Sequence, residues 1–172
     1  PLLFLIYIND TVNASPTLSL TLFADDITVI HSHCNLNYLI RTLNGELATL
    51  FKWLNCNKLI LNPLKTNYVI FTNPRVNVDY QQCELVINGF PLQRKDSTIF
   101  LGVTLDNHLN WNVHFQNTVS VISRLVGLLR KLKETLPLSS LTLLYNSLIH
   151  SRLSYCNIAW GRSSKKNNDS LL

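Results

Sequence analysis

Apolar positions follow two rhythms along this chain, and each change of rhythm marks an expected element. Leu18, Leu20 and Leu22 precede Asp25-Asp26, and Ile27, Val29 and Ile30 follow it. Apolar, partly β-branched runs of this length read as strands, so a hairpin over about Leu18–His31 is expected with both carboxylates at its turn. Leu36, Leu39, Ile40, Leu43, Leu47, Leu50, Phe51 and Leu54 then recur at helical spacing, with Asn35 placed to cap them. Gly45 weakens that helix by about 1 kcal/mol, too little to cancel so regular a stripe. One face of it is expected to lie across a sheet. Pro1–Ile8 is uniformly apolar and predicts a helix buried on most sides.

Strands are expected at Tyr68–Thr72, Glu84–Ile87 and Ile99–Leu105, with a turn at Asn62-Pro63 and another at Asn88-Gly89. Gly102 inside the third run marks a bulge or a close backbone approach. After Asn110 the pattern becomes helical. Val119, Ile122, Leu125, Val126, Leu129 and Leu132 form one stripe that Pro137 ends, and Leu141, Leu144, Tyr145, Leu148, Ile149 and Leu153 form the next. Arg162–Asn168 reads as a polar, frayed end. The expected class is α+β: a mainly antiparallel sheet with helix on one face, followed by a small helical bundle.

Composition narrows this. The chain has 172 residues, 47% hydrophobic and only 15% charged, which suits one sizeable core or two small units and not a disordered segment. No apolar run is long enough to span a bilayer, so no membrane partner is expected, and the N-terminus lacks the basic region and cleavage site of a signal peptide. The absence of Met suggests a fragment that begins inside a longer coding element. Charge is uneven: residues 1–111 carry a net −1 and residues 112–172 a net +6. A basic second part favours a polyanionic partner. Cys34, Cys56, Cys83 and Cys156 show no paired spacing, and reduced thiols are expected.

The chemistry centres on Asp25-Asp26. Desolvating two adjacent unpaired carboxylates costs on the order of several kcal/mol, and a divalent cation would offset it. Hard oxygen ligands suit Mg²⁺ or Mn²⁺. A solvated Asp-Asp turn is the plain alternative. Asp10 follows a helix without a strand around it, so capping or solvation is expected there. His31 and His33 share a strand face and, with Cys34, could chelate Zn²⁺, but no second ligand pair follows at matching spacing, so zinc is not expected. Trp111 and His114 read as packing and hydrogen bonding where sheet meets helix.

Phe23-Ala24-Asp25-Asp26 resembles the x-Ala-Asp-Asp box of reverse transcriptases from non-LTR (LINE-type, jockey-like) retrotransposons. Pro1–Asp10 resembles the helix before that box, Asn62-Pro63-Leu64-Lys65-Thr66 the lysine-bearing motif, and Phe100-Leu101-Gly102-Val103 the primer-grip hairpin. Trp111 and His114 match a W-x-x-H signature, and the likeness runs on through Ser147–His150, Ser154-Tyr155-Cys156 and Trp160-Gly161. The order of the motifs is more specific than any one of them.

The resemblance implies a partial palm over residues 1–111 and a helical thumb over 112–172. It implies RNA-directed DNA synthesis with an RNA template, a DNA primer, dNTPs and Mg²⁺ (Mn²⁺ possible), in an intracellular protein found in nucleus and cytoplasm. Asp25 and Asp26 would be metal ligands, Asp25 shared with an aspartate from an upstream strand that this sequence does not contain. Lys65, which by itself reads as a surface lysine after an Asn-Pro turn, would sit beside the triphosphate and protonate the departing pyrophosphate. Phe23 would lie near the primer end, where many relatives carry Tyr. Leu101 and Gly102 would position the terminal nucleotide, or else form an ordinary bulge. Arg124, Arg130, Lys131 and Lys133 would meet phosphates without reading bases. The fragment by itself is expected to be inactive. The alternative is a non-catalytic retrotransposon remnant that binds nucleic acid or has no function.

Overall fold

A computed structural model describes residues 2–80 and 83–161. The expected polar end at Arg162–Asn168 lies outside the described residues, as does Pro1. The chain forms two compact units: Pro1–Tyr68 with Arg75–Lys95, and Val69–Pro74 with Asp96–Leu172.

In the first unit, α1 (Leu2–Ile8) runs into a 3₁₀ turn (Asn9–Asn13), followed by β1 (Ser19–Phe23), β2 (Asp26–Ile30) and α2 (Leu36–Cys56). Strands β1 and β2 pair antiparallel, with Leu20 opposite Val29 and Leu22 opposite Ile27. These four apolar side chains share one half-buried face, while Phe23 and Asp26 pair at the tip. The cap of α2 is the expected one: Asn35 Oδ1 accepts from the Tyr38 amide at 3.0 Å. Ile40, Leu47, Leu50 and Leu54 form its buried stripe. Asn44 on the same helix accepts from the Val86 amide at 2.8 Å and donates to the Glu84 carbonyl at 3.1 Å. One side-chain amide thus satisfies two backbone groups of the next ribbon, β4 (Val86–Ile87) and β5 (Phe90–Pro91). Asn88 and Gly89 join these strands with φ of 51° and 79°, the type I′ arrangement that Asn-Gly favours. Short strands β3 (Asn67–Tyr68) and β6 (Gln93–Arg94) pair in parallel.

Three expectations fail here. The strand segments form four separate two-stranded ribbons, three antiparallel and one parallel, and not one sheet. The run Tyr68–Thr72 is strand only at its start, because the Thr72 amide goes to the Asn107 carbonyl (3.1 Å) and its carbonyl meets His108 Nδ1 (3.0 Å). Helix α1 forms but is not buried. Leu2 and Leu3 are 71% and 83% exposed, and Ile8 alone on it is buried. Leu2, Leu3, Leu5 and Ile6 on it are all exposed.

In the second unit, Ile99–Leu105 is not one strand. It is a hairpin of β7 (Ser97–Phe100) and β8 (Val103–Asp106), with Leu101-Gly102 as a two-residue loop at φ of 46° and 84°. The pair of positive φ values reverses the chain where the apolar run suggested continuity. Helix α3 (Asn112–Leu132) ends before Pro137, which instead opens α4 (Leu138–Tyr145). A π turn (Asn146–His150), α5 (Ser151–Ser154) and α6 (Asn157–Trp160) complete it. Val103, Phe115 and Trp160 form its buried centre, with Leu105 and Trp111 packed against them.

Candidate functional site

The β1–β2 hairpin places Phe23, Asp25 and Asp26 together at one exposed tip. Its two-residue loop is Ala24-Asp25, and Ala24 takes a left-handed φ of 52°. That conformation costs an L-residue with a Cβ about 1–2 kcal/mol, and such strain is concentrated at working sites. Among the described residues neither carboxylate has a hydrogen-bond or ion-pair partner, so both are free to take a cation. Two adjacent hard-oxygen donors fit Mg²⁺ or Mn²⁺ as part of a ligand set. Among the described residues no group of three or more His, Cys, Asp and Glu side chains is placed to hold a metal ion.

The hairpin is anchored at its base, not its tip. Ser15 is buried, donates to Glu46 Oε2 at 2.5 Å, and accepts from the Leu18 amide at 3.2 Å. Hydrogen bonds from Ser15 and Thr17 hold the Glu46 carboxyl below its ordinary range. A carboxylate on α2 thereby fixes the segment that leads into β1. His33 Nδ1 accepts from the Asn35 amide at 3.0 Å, so one nitrogen of the His31–His33–Cys34 group serves the α2 cap. Asp10 is exposed in the 3₁₀ turn.

Lys65 sits on a different turn, exposed, after α2. Asn62 builds that turn: its carbonyl accepts from the Lys65 and Thr66 amides at 3.2 Å, and its Oδ1 from the Leu64 amide at 3.1 Å.

In the second unit, Leu101 and Gly102 form the β7–β8 loop. Tyr155 Oη donates to the Leu101 carbonyl at 2.7 Å. The expected roles of Trp111 and His114 are met. His114 Nδ1 accepts from the Thr104 amide at 3.3 Å, and its ring lies edge-on to Trp160 with centroids 5.2 Å apart. Burial lowers the His114 pKa below the usual 6.5. Asp106 was not singled out by the sequence, yet its buried carboxylate accepts from the His108 and Asn110 amides at 3.1 Å and the Trp111 amide at 2.8 Å. It holds the loop in which Leu109 and Trp111 adopt positive φ. An Asp at a strand end before Asn107-His108 is an Asx-turn signal.

Arg124, Arg130, Lys131 and Lys133 are all exposed, but they do not form one patch. Arg124 and Lys131 lie two turns apart on one face of α3, opposite buried Phe115. Arg130 lies about 120° round the helix from Arg124, nearer the Phe115 side, and Lys133 falls past the last helical residue.

Over 153 residues, 86% of its length, the chain is 30% identical to a Drosophila melanogaster protein described as "Probable RNA-directed DNA polymerase from transposon BS". The chain is similar to a transposon reverse transcriptase. It spans only 16% of that protein's length. No family model and no solved structure matches it. Among the described residues no helix is long and apolar enough to cross a membrane.

Proposed function

We propose that this chain is the C-terminal palm (residues 1–111) and the thumb (112–172) of a non-LTR, jockey-like retrotransposon reverse transcriptase. The observation that carries this is the exposed Asp25-Asp26 pair at a strained hairpin tip, in a chain similar to a transposon RNA-directed DNA polymerase. In that enzyme Asp25 and Asp26 would hold Mg²⁺, with Mn²⁺ as a substitute. The ion would supply charge stabilisation for phosphoryl transfer from a dNTP.

The chain's own residues would do the remaining work. Phe23, cross-strand from Asp26, would offer an apolar surface at the primer end. Lys65, exposed on the Asn62 turn, would meet the triphosphate and give a proton to the leaving pyrophosphate. Leu101 and Gly102 would present backbone groups to the terminal nucleotide, whose alignment decides the rate of an in-line displacement. Arg124 and Lys131 would contact phosphates of the template–primer duplex without reading its sequence.

The test is Asp25→Asn in a longer polymerase chain that contains these residues. Template-dependent primer extension should fall by at least about 10²–10³-fold, with the circular dichroism spectrum unchanged. Near-normal extension by that variant would remove the hairpin from the active site.

A further inference from the structure

Tyr155 lies between α5 and α6, and its phenol reaches 54 residues back in sequence to the Leu101 carbonyl, at 2.7 Å. Its ring covers the other loop residue as well. A Cβ added at Gly102 would meet Tyr155 Cε1 at 3.5 Å, an ordinary van der Waals contact. The tyrosine is in turn held from behind. Its own carbonyl accepts from Trp160 Nε1 at 2.9 Å, and Trp160 is buried beside Val103 and Phe115. The β7–β8 loop is therefore tied through one side chain to the buried centre of its own unit.

The loop needs such a tie. This chain contains a second hairpin loop with both residues at positive φ, Asn88-Gly89, and it carries the residue pair that best tolerates that shape. The β7–β8 loop carries Leu at the equivalent place, φ 46°, where a bulky side chain is disfavoured. A loop with poor local preference holds its shape only if something outside it does so. The Tyr155 hydroxyl is the outside group that reaches it.

We propose that Tyr155 is a positioning residue: its hydroxyl, braced by Trp160, fixes the Leu101 carbonyl and hence the backbone that would seat the primer terminus. The functional half of this rests on the polymerase assignment above. The mechanical half stands on the hydrogen bonds alone.

Tyr155→Phe keeps the ring and removes only the donor, so the fold survives the test. In the 172-residue chain, Val103 lies opposite Phe100 at the loop end of the ladder, where a two-residue hairpin loop directs its amide to the Phe100 carbonyl. Its hydrogen exchange should quicken by about five- to tenfold, as expected for loss of one neutral hydrogen bond, while Leu105 exchange stays unchanged. Unchanged Val103 exchange overturns the proposal. In the longer polymerase chain, the same variant should lower kcat about tenfold while the template–primer KM stays within about twofold. A merely structural role would move both constants or neither. Faster exchange with unaltered kcat overturns the positioning role while leaving the hydrogen-bonded tie. Asp25→Asn in the same background separates the two levels. If that variant remains active, or the unsubstituted polymerase is inactive, the polymerase assignment fails, whatever Tyr155 does to Val103 exchange.

Discussion

His114 joins packing to charge in one side chain. Its Nδ1 accepts from a backbone amide, so the ring is neutral with its proton on Nε2, and burial disfavours the charged form. The folded pKa is lower than the unfolded one, so the unfolded chain binds the proton more readily. The stability tied to neutral His114 is fully present above the unfolded value of 6.5 and is lost as pH falls through the folded value. Urea unfolding at pH 7.5 and at pH 5.5 should show a lower midpoint at the acid pH. His114→Gln should flatten that difference. An equal difference in the variant would assign the pH dependence to another group. Asp106 illustrates the opposite kind of residue, a buried carboxylate held by three backbone amides from the loop that follows it. Nothing in its side-chain type distinguishes it from a solvated turn aspartate, and only the closed loop gives it a purpose.

Elements were legible where local chemistry dictated them and obscure where partners did. The cap at Asn35, the stripe of α2 and the Asp-Asp hairpin follow from spacing and capping, which act within a few residues. A one-sheet arrangement did not follow, because strand pairing is decided by partners far along the chain. Thr72 gives its backbone groups to Asn107 and His108 and leaves the ladder. The uniformly apolar sequence of α1 favours burial, yet most of its side chains are exposed, because composition says only that burial is favourable and not that a partner is present. The apolar pattern alone hides the β7–β8 loop for a different reason, although the resemblance to a primer-grip hairpin places a reversal at Phe100–Val103. Leu101 is a poor choice for a left-handed loop position, so the run read as one strand. Leu101→Asn, which copies the loop of the other type I′ hairpin, should therefore stabilise the chain by about 0.5–1 kcal/mol. A urea midpoint that does not rise would show that the Leu101 side chain contributes packing that offsets its backbone strain.

At the scale of the whole molecule, acidic chemistry and basic surface lie in different parts of the chain, net −1 over residues 1–111 and +6 over 112–172. Under the proposed assignment, metal and triphosphate chemistry would fall in the first stretch of sequence and duplex phosphate contacts in the second. That division does not make these residues a complete polymerase. Asp25 and Asp26 come from one hairpin, and among the described residues no third ligand joins them. Transition-state stabilisation in phosphoryl transfer depends on fixed charge, and each missing contributor costs about 10²–10³-fold. The purified 172-residue chain should therefore extend no primer on an RNA template with Mg²⁺ or Mn²⁺. Binding should survive that loss, since phosphate contacts need only exposed cations. Affinity for an RNA–DNA duplex should fall steeply with salt, and replacing Arg124 and Lys131 together, the pair on one face of α3, should reduce the salt slope by up to about two units. Replacing Lys133, beyond the helix end, should change it less. Template-dependent extension by this chain, abolished by Asp25→Asn, would show that two carboxylates suffice. A slope unmoved by the double replacement would take α3 out of the duplex contact.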